Sequence, residues 1–342
     1  MRLLIVIVNY RTAALTVDCL ASLEPEVAEL AAGGDVELEQ PGGATSTVRL
    51  PAVQTRVVVT DGDSGDDSVP VLRQAVEQHG WGDWCELMPL EANRGFAAGN
   101  NAAIEPAMAG GDPPDHVLLL NPDTVTHPDA VRTLLAFQRT VVGCGIAGSR
   151  LEHRDATPQA SAFQFLRPLT ELGTALRLGV LDKAAPAAVV APPVRDDPHR
   201  TDWVAGASML VRREVFDDIG SLDDGYFMYF EEVDFCRRAA GAGHACWYVP
   251  QSRVVHLVGQ SSGVTSADRG RRRRPAYWFE ARSRYFRKHF GRGGKLAADV
   301  AWAGAYPLYR LKCLLQRRAH PDPPRLWSDF LRHNFWPGKV GG

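Results

Sequence analysis

The chain has 342 residues, enough for one large α/β domain with additions or two ordinary domains, and its 45% apolar content supports a core and excludes a disordered class. The net charge of −2 conceals an asymmetry: residues 268–342 carry 18 Lys and Arg against 5 Asp and Glu, leaving 20 basic against 35 acidic residues before them. Such a tail points to an anionic membrane surface or a polyanion, while no segment reaches the roughly 18 uninterrupted apolar residues of a membrane span.

The opening run LLIVIV (3–8) is too short to cross a bilayer and reads as a first strand. Further strand-like runs follow at RVVVT (56–60), CELMPL (85–90) and HVLLL (116–120), with helices predicted over 12–31 and 68–80, the second with Ser68 as N-cap. Strands alternating with helices imply right-handed βαβ units on a parallel sheet. Residues 33–55, rich in Gly, Thr and Pro, read as an inserted loop or hairpin.

A helix at about 128–140 precedes a strand in GCGIAGSRL (143–151), and the proline-bearing stretch 152–200 reads as a mobile loop or lid. WVAGASMLVRREVFDDIG (203–220) gives a strand and a short helix, and EEVDFCRRAAGAG (231–243) a helix with an acidic first turn suited to its dipole. ACWYVP and SRVVHLVG add two strands, and 276–290 forms a basic, aromatic helix. Six scattered cysteines without a CxxC pair indicate neither a zinc knuckle nor a disulfide framework, and fit a reducing cytoplasm.

Four polar segments follow apolar strands: Asn9-Tyr10-Arg11, DGDSGDDS (61–68), EANRGFAAGNN (91–101) and Asn121-Pro122-Asp123. In a parallel sheet these loops leave the same edge and can converge on one ligand. Taken singly each could be a plain turn. NRGFAAGNN (93–101) is neither a P-loop nor a GxGxxG fingerprint, yet its glycines let bare backbone approach a phosphate. Asp123 suits one Mg²⁺ or Mn²⁺, which takes one or two protein carboxylates and fills its shell with water and substrate phosphate. In YFMYFEEVDFCRR (226–238), Glu231, Glu232 and Asp234 follow four aromatics, whose poor solvation raises a carboxyl pKa toward that of a general base. His256 is a candidate third metal ligand, although a lone histidine is more often an ordinary hydrogen-bonded residue.

In order, NYRT, DGDSGDDS, NRGFAAGNN, LLLNPDT, WVAGASMLVRR, GYFMYFEEVDFCRR and VVHLVGQSS resemble glycosyltransferase family 2, most closely its bacterial rhamnosyltransferase-like branch. The resemblance implies an inverting enzyme over residues 1–290 with a GT-A fold: a mixed, mostly parallel sheet flanked by helices. Residues 1–125 would form the nucleotide-sugar half and 126–290 the acceptor half, with 291–342 a basic amphipathic extension. Asn9, Tyr10, Arg11, Asp61, Asp63, Ser64, Asn93, Arg94, Gly95, Gly99, Asn100 and Asn121 would shape the donor site. Asp123 stands at the family's DxD position with His256 completing the metal site, Glu232 stands at the base position, and Trp203, Gly206, Ala207, Glu231 and Asp234 lie on the acceptor side.

Two departures stand out: Asp61-Gly62 replaces the family's Asp-Asn, and the base is Glu rather than Asp, about one methylene longer in reach. A QxxRW signature is absent, which favours transfer of one sugar per encounter. The implied partners are a nucleoside-diphosphate sugar, with dTDP-rhamnose favoured, and a saccharide or polyprenyl-linked saccharide acceptor, with no nucleic acid. The rivals are a sugar nucleotidyltransferase, which needs a lysine-bearing glycine loop that NYRTAA lacks, and a catalytically decayed binding protein. The run RGRRRR (269–274) reads as a solvated loop. The segment 296–318, with Trp302, Tyr306 and Tyr309, suits a helix lying on the cytoplasmic membrane face or, alternatively, one packed on the catalytic domain or a second subunit.

Overall fold

In the computed structural model, which describes residues 1–177, 189–257 and 272–336, the N-terminal apolar run is strand β1 (Arg2–Asn9), buried from Leu3 to Ile7. It leads through α1 (Ala13–Ala32), a hairpin of β2 (Gly34–Glu39) and β3 (Thr45–Leu50), β4 (Gln54–Asp61), α2 (Ser68–His79), β5 (Cys85–Pro89) and α3 (Phe96–Ala109) to β6 (His116–Leu120). β1 pairs in parallel with β4 and β6, and β4 with β5. Alternate side chains of β1 enter two separate apolar layers. Leu3, Ile5 and Ile7 meet Leu20, Leu23 and Leu134, whereas Leu4 and Val6 meet Ala97 and Ile104. Burial on both faces explains the unbroken apolar sequence.

The second half runs through β7 (Thr124–Thr126), α4 (Ala130–Thr140), β8 (Cys144–Glu152), β9 (Ala162–Phe163), α5 (Pro168–Leu176), β10 (His199–Thr201) and β11 (Trp203–Val204). It continues with β12 (Ser208–Arg212), α6 (Arg213–Ile219), α7 (Glu231–Gly241) and β13 (Ala245–His256). β12 lies antiparallel between β6 and β8, and β8 is parallel to β13. Among the described residues the sheet order is β10-β13-β8-β12-β6-β1-β4-β5, with β7 paired to the end of β13.

Several sequence expectations are corrected. Asp67, not Ser68, occupies the N-cap of α2, and the Ser68 backbone N–H donates to Asp66 Oδ1 at 2.9 Å. ACWYVP and SRVVHLVG form one strand as far as His256, with its register shifted between Val249 and Arg253, the interval holding Pro250, which cannot donate to the ladder. Residues of that motif from 258 onward lie outside the described residues. The stretch 152–200 is not structureless: Pro168 opens α5, where its missing N–H costs nothing, while 178–188 lies outside the described residues.

The chain ends in α8 (Ala276–Leu315) and α9 (Leu326–Phe335). α8 breaks at Gly291, whose φ of 68° and ψ of −173° suit a residue without Cβ. Before the break, Ala281, Tyr285 and Phe286 pack on Tyr226, Phe230 and Val233. After it, Trp302, Tyr306 and Tyr309 are only 6%, 2% and 9% exposed, and the Trp302 ring stacks on Phe330 at 4.1 Å. The aromatics expected at a membrane surface therefore face inward, as in the packing alternative. RGRRRR is not a free loop where it is described: Arg273 Nε donates to Asp329 Oδ2 at 2.9 Å, and the Arg274 guanidinium lies 5.0 Å over the Trp278 ring. Residues 269–271 lie outside the described residues.

A buried ion triad joins α8 across its break to α5. Arg282 donates through Nε and Nη2 to Glu171 Oε2 at 2.9 and 2.7 Å, and through Nη1 to Asp299 Oδ1 at 2.6 Å. All three residues are buried, and removing one partner of such a set leaves charge without compensation. Arg282→Met is expected to cost about 3–5 kcal/mol in urea denaturation; a loss under about 1 kcal/mol would show that the triad does not hold these helices together.

Candidate active site

The carboxyl ends of β1, β4 and β6 open onto a cleft of about 280 Å³. Its walls include Tyr10, Asn93, Arg94, Gly95, Gly99 and Asn121 on the N-terminal side and Gly206, Ala207, Glu231, Glu232 and His256 on the other. The antiparallel strand β12 brings the second group across, since the backbone N–H of Asn121 donates to Ala207 O at 3.0 Å just where β6 and β12 part.

Asn9, Asp61 and Ser64 do not line this cleft; they brace it from behind. Asn9 Nδ2 donates to Asp61 Oδ2 at 2.6 Å, and Ser64 donates through Oγ to the same oxygen at 2.7 Å and through its backbone N–H to Oδ1 at 3.1 Å. Thr12 and Thr16 hydroxyls donate to Asn9 Oδ1 at 3.0 and 2.9 Å. All of these polar residues are buried, and mutual pairing satisfies them. Arg11 joins the brace, its backbone N–H and Nε donating to Ser64 Oγ and O at 2.9 and 2.8 Å. Asp63 is exposed, outside the cleft. A Cβ at Gly62 would meet only ordinary contacts, the nearest being Asn9 O at 3.6 Å, so the departure from Asp-Asn leaves space rather than filling a tight turn.

The far wall is set by a strained turn. Tyr229 and Phe230 have φ of 73° and 70°, left-handed values that cost a bulky residue on the order of 1–2 kcal/mol each. The turn starts α7 with Glu231 and Glu232 in its first turn. Gly95 locks it from the other half of the protein: at φ 93° its missing Cβ would lie 1.9 Å from Phe227 O, the atom that accepts the Phe96 backbone N–H at 2.8 Å. Glu231 Oε2 and Glu232 Oε2 are buried without a hydrogen-bond partner among the described residues. Burial, then the neighbouring Glu232, pushes the Glu231 carboxyl well above its usual range, and burial pushes Glu232 up to about 7. A carboxylate in that range accepts a proton readily near neutral pH.

Opposite this pair, the register of β7 on β13 sets His256 against Thr124 and so beside Asp123. His256 Nε2 lies 3.5 Å from Asp123 Oδ1, and the Asp123 backbone carbonyl accepts from the Leu257 N–H at 2.9 Å. One carboxylate oxygen beside one imidazole nitrogen is a donor set that suits Mg²⁺ or Mn²⁺ when substrate phosphate and water supply the remaining positions. Among the described residues no group of three or more His, Cys, Asp or Glu forms a complete protein cage. Asp123 itself is buried behind the lining, with His256 at the cleft surface.

Three further expected site residues also lie outside the cleft lining. Asp234 is buried outside the lining, accepting from Arg238 Nε at 2.9 Å, Lys288 Nζ at 2.8 Å and the Tyr226 hydroxyl at 3.3 Å, with His289 Nε2 at 2.8 Å. Burial alone would raise its carboxyl, but these partners outweigh it and hold Asp234 well below the usual carboxylate range. It therefore ties α7 to α8 and stays charged. Trp203 stacks on Phe163 at 4.2 Å and donates Nε1–H to Gln164 O at 3.0 Å, away from the cleft. Asn100 is buried, its Nδ2 donating to Phe96 O at 2.9 Å. The sequence reading missed Phe96 and Met228, which line the cleft, and Asn101, whose amide clamps both the backbone N–H and the C=O of Leu222.

Residues 44–291 match the family model described as glycosyltransferase like family 2. The N-acetylglucosaminyl-diphospho-decaprenol L-rhamnosyltransferase of Mycobacterium tuberculosis is 31% identical over 185 residues, which cover 52% of this chain and 60% of that protein. Rhamnosyltransferase WbbL of Escherichia coli is 30% identical over 169 residues, covering 48% and 61%. The chain thus spans about three fifths of the length of these relatives. The mannosyltransferase PcManGT from Pyrobaculum calidifontis, solved with GDP-Man and Mn²⁺, shares the architecture with a TM-score of 0.53 at 15% identity, over 94% of this chain and 76% of that one. The sheet is accordingly the GT-A fold. With the family match spanning well over half its length, the chain belongs to glycosyltransferase-like family 2.

Proposed function

We propose that the protein is an inverting glycosyltransferase that moves one sugar from a nucleoside-diphosphate sugar to a hydroxyl of a saccharide or polyprenyl-linked saccharide acceptor in surface polysaccharide synthesis. The observation that carries this reading is the pair of buried carboxylate oxygens of Glu231 and Glu232, facing across one cleft the Asn121–Asp123 turn and His256. Rhamnose is the favoured donor sugar because two relatives bear rhamnosyltransferase names, and the decaprenol in one of those names supports a lipid-linked acceptor.

In this mechanism Tyr10, Asn93 and Arg94 orient the nucleotide end of the donor. Asp123 and His256 would hold a divalent ion whose charge offsets that building on the departing diphosphate. Glu232 accepts the proton of the acceptor hydroxyl as that oxygen forms its bond to the anomeric carbon. The bond from that carbon to the diphosphate oxygen breaks with its electron pair leaving on the nucleoside diphosphate. Glu231, holding a proton beside Glu232, keeps the pair from carrying two adjacent buried charges. A decayed binding protein is the second reading, favoured by Gly62; a panel of nucleotide sugars, assayed for acceptor-dependent release of nucleoside diphosphate, separates the two. Release from none of the donors with any saccharide acceptor would favour decay.

Glu232→Gln is expected to bind nucleotide like the parent and turn over at least about a hundredfold more slowly. An active Glu232→Gln beside an inactive Glu231→Gln would reverse the assignment of the base. Because the base must be unprotonated, kcat/KM should rise with pH through the region near 7 and level off above it, and Glu232→Gln should lose that limb. A flat profile in the parent between pH 5 and 9, about two units either side, would contradict it. Asp123→Ala is expected to abolish Mn²⁺-dependent strengthening of nucleotide binding by calorimetry, and EDTA should abolish turnover of the parent; full activity in excess EDTA after metal-free purification overturns the metal assignment.

A further inference from the structure

Once its aromatic face is turned inward, α8 leaves a second face without a partner among the described residues. Leu296, Val300, Leu308, Leu311, Leu314 and Leu315 are each more than half exposed. At 100° per residue they occupy a single sector of about 120°, opposite the one that carries Trp302, Tyr306, Tyr309 and Cys313. Of the thirteen large apolar side chains exposed among the described residues, eight follow residue 295, so this is a concentrated surface rather than the usual scatter.

The charges of this C-terminal segment are sorted by burial. The acidic residues between 291 and 336 are Asp299, Asp322 and Asp329, and all three are buried in pairs with Arg282 and Lys295, with Arg177, and with Arg273. The exposed charges of the same segment are Arg292, Arg310, Arg317, Arg318, Arg325 and Arg332. From residue 291 onward the segment thus exposes apolar side chains and positive charge, while its three acidic residues are buried in ion pairs. No described helix is long and apolar enough to cross a membrane.

From this sorting we propose that the leucine face of α8 docks the protein onto an anionic lipid surface, lying in the interface with its arginines at the headgroups. A two-fold contact between two copies would set cations against cations, whereas anionic headgroups complement them at about 1 kcal/mol for each basic residue near the surface. Burial of the leucines among acyl chains supplies the apolar part. The proposal stands apart from the catalytic reading, because neither the leucines nor the arginines belong to the cleft.

Flotation of the full chain with phosphatidylcholine vesicles containing about 30% phosphatidylglycerol tests it. The parent is expected to float at low salt, to be released as salt rises, and to stay behind with pure phosphatidylcholine. The exposed triple variant Leu308→Ser, Leu311→Ser, Leu315→Ser, checked for an unchanged thermal melt, should bind at least about tenfold more weakly, and Arg317→Gln with Arg318→Gln should lose much of the salt dependence. Failure of the parent to float, equal flotation by the leucine variant, or a dimer in sedimentation that the leucine variant dissolves would each overturn the proposal.

Discussion

Two adjacent carboxyls at the head of one helix, Glu231 buried and Glu232 half-buried at the cleft wall, each hold a buried oxygen without a hydrogen bond among the described residues, and the arrangement of the rest of the protein answers to that cost. Burying such groups without partners is unfavourable, and the unfavourable part falls mostly on the ionised form. Glu231 and Glu232 therefore sit high on the pH scale, ready to hold a proton near neutrality. Holding them there takes two consecutive aromatic residues in left-handed backbone and a glycine packed on a carbonyl with no room for a methyl group. Asp234, one turn along the same helix, has the opposite fate because Arg238, Lys288 and His289 surround it. A carboxyl group is thus left ready to take a proton or held charged as a rivet according to its partners.

Bracing and lining are divided between different residues. The closed network of Asn9, Asp61, Ser64, Thr12 and Thr16 uses polar side chains to fix the ends of β1 and β4, leaving Tyr10, Asn93, Arg94 and Asn121 at the surface of the cleft. On the other side, the pairing of β7 with β13 delivers His256 to Asp123 from more than a hundred residues away. The C-terminal helices complete the support: before Gly291, α8 anchors Asp234 through Lys288 and grips Glu171 of α5 through Arg282, which Asp299 from beyond the break also holds.

Much of this was legible in the sequence. Strands buried on both faces announce themselves as unbroken apolar runs, and polar residues directly after them mark a common edge, which is why the loops at Tyr10, Asn93 and Asn121 stand out; Glu231 and Glu232 stand out instead by the four aromatics that precede them. Facing was harder to read. Asn9, Asp61 and Ser64 carry the chemistry of ligand-binding residues, but in the fold their partners are one another. Trp203 and Asp234 sit within the right motifs yet turn away, because a strand or helix alternates its side chains between surfaces. Nothing in YFMYFEE marks Tyr229 and Phe230 as left-handed, since that conformation goes against the preference of aromatic residues. In the tail, the tryptophan and tyrosines drew attention to the wrong side of α8; the polarity of a helix face depends on which side finds a partner, and α5 and α9 supply it.

The central claim is a single displacement assisted by one carboxylate base at Glu232. The most direct measurement is the anomeric configuration of the product, read by NMR from the coupling at the transferred sugar's anomeric carbon, once the donor is known from the nucleotide-sugar panel. Inversion relative to the donor is predicted, because acceptor oxygen and departing diphosphate occupy opposite faces of that carbon. Retention of configuration would contradict the account, since it requires a second displacement or a route in which Glu232 does not receive the acceptor's proton as proposed here.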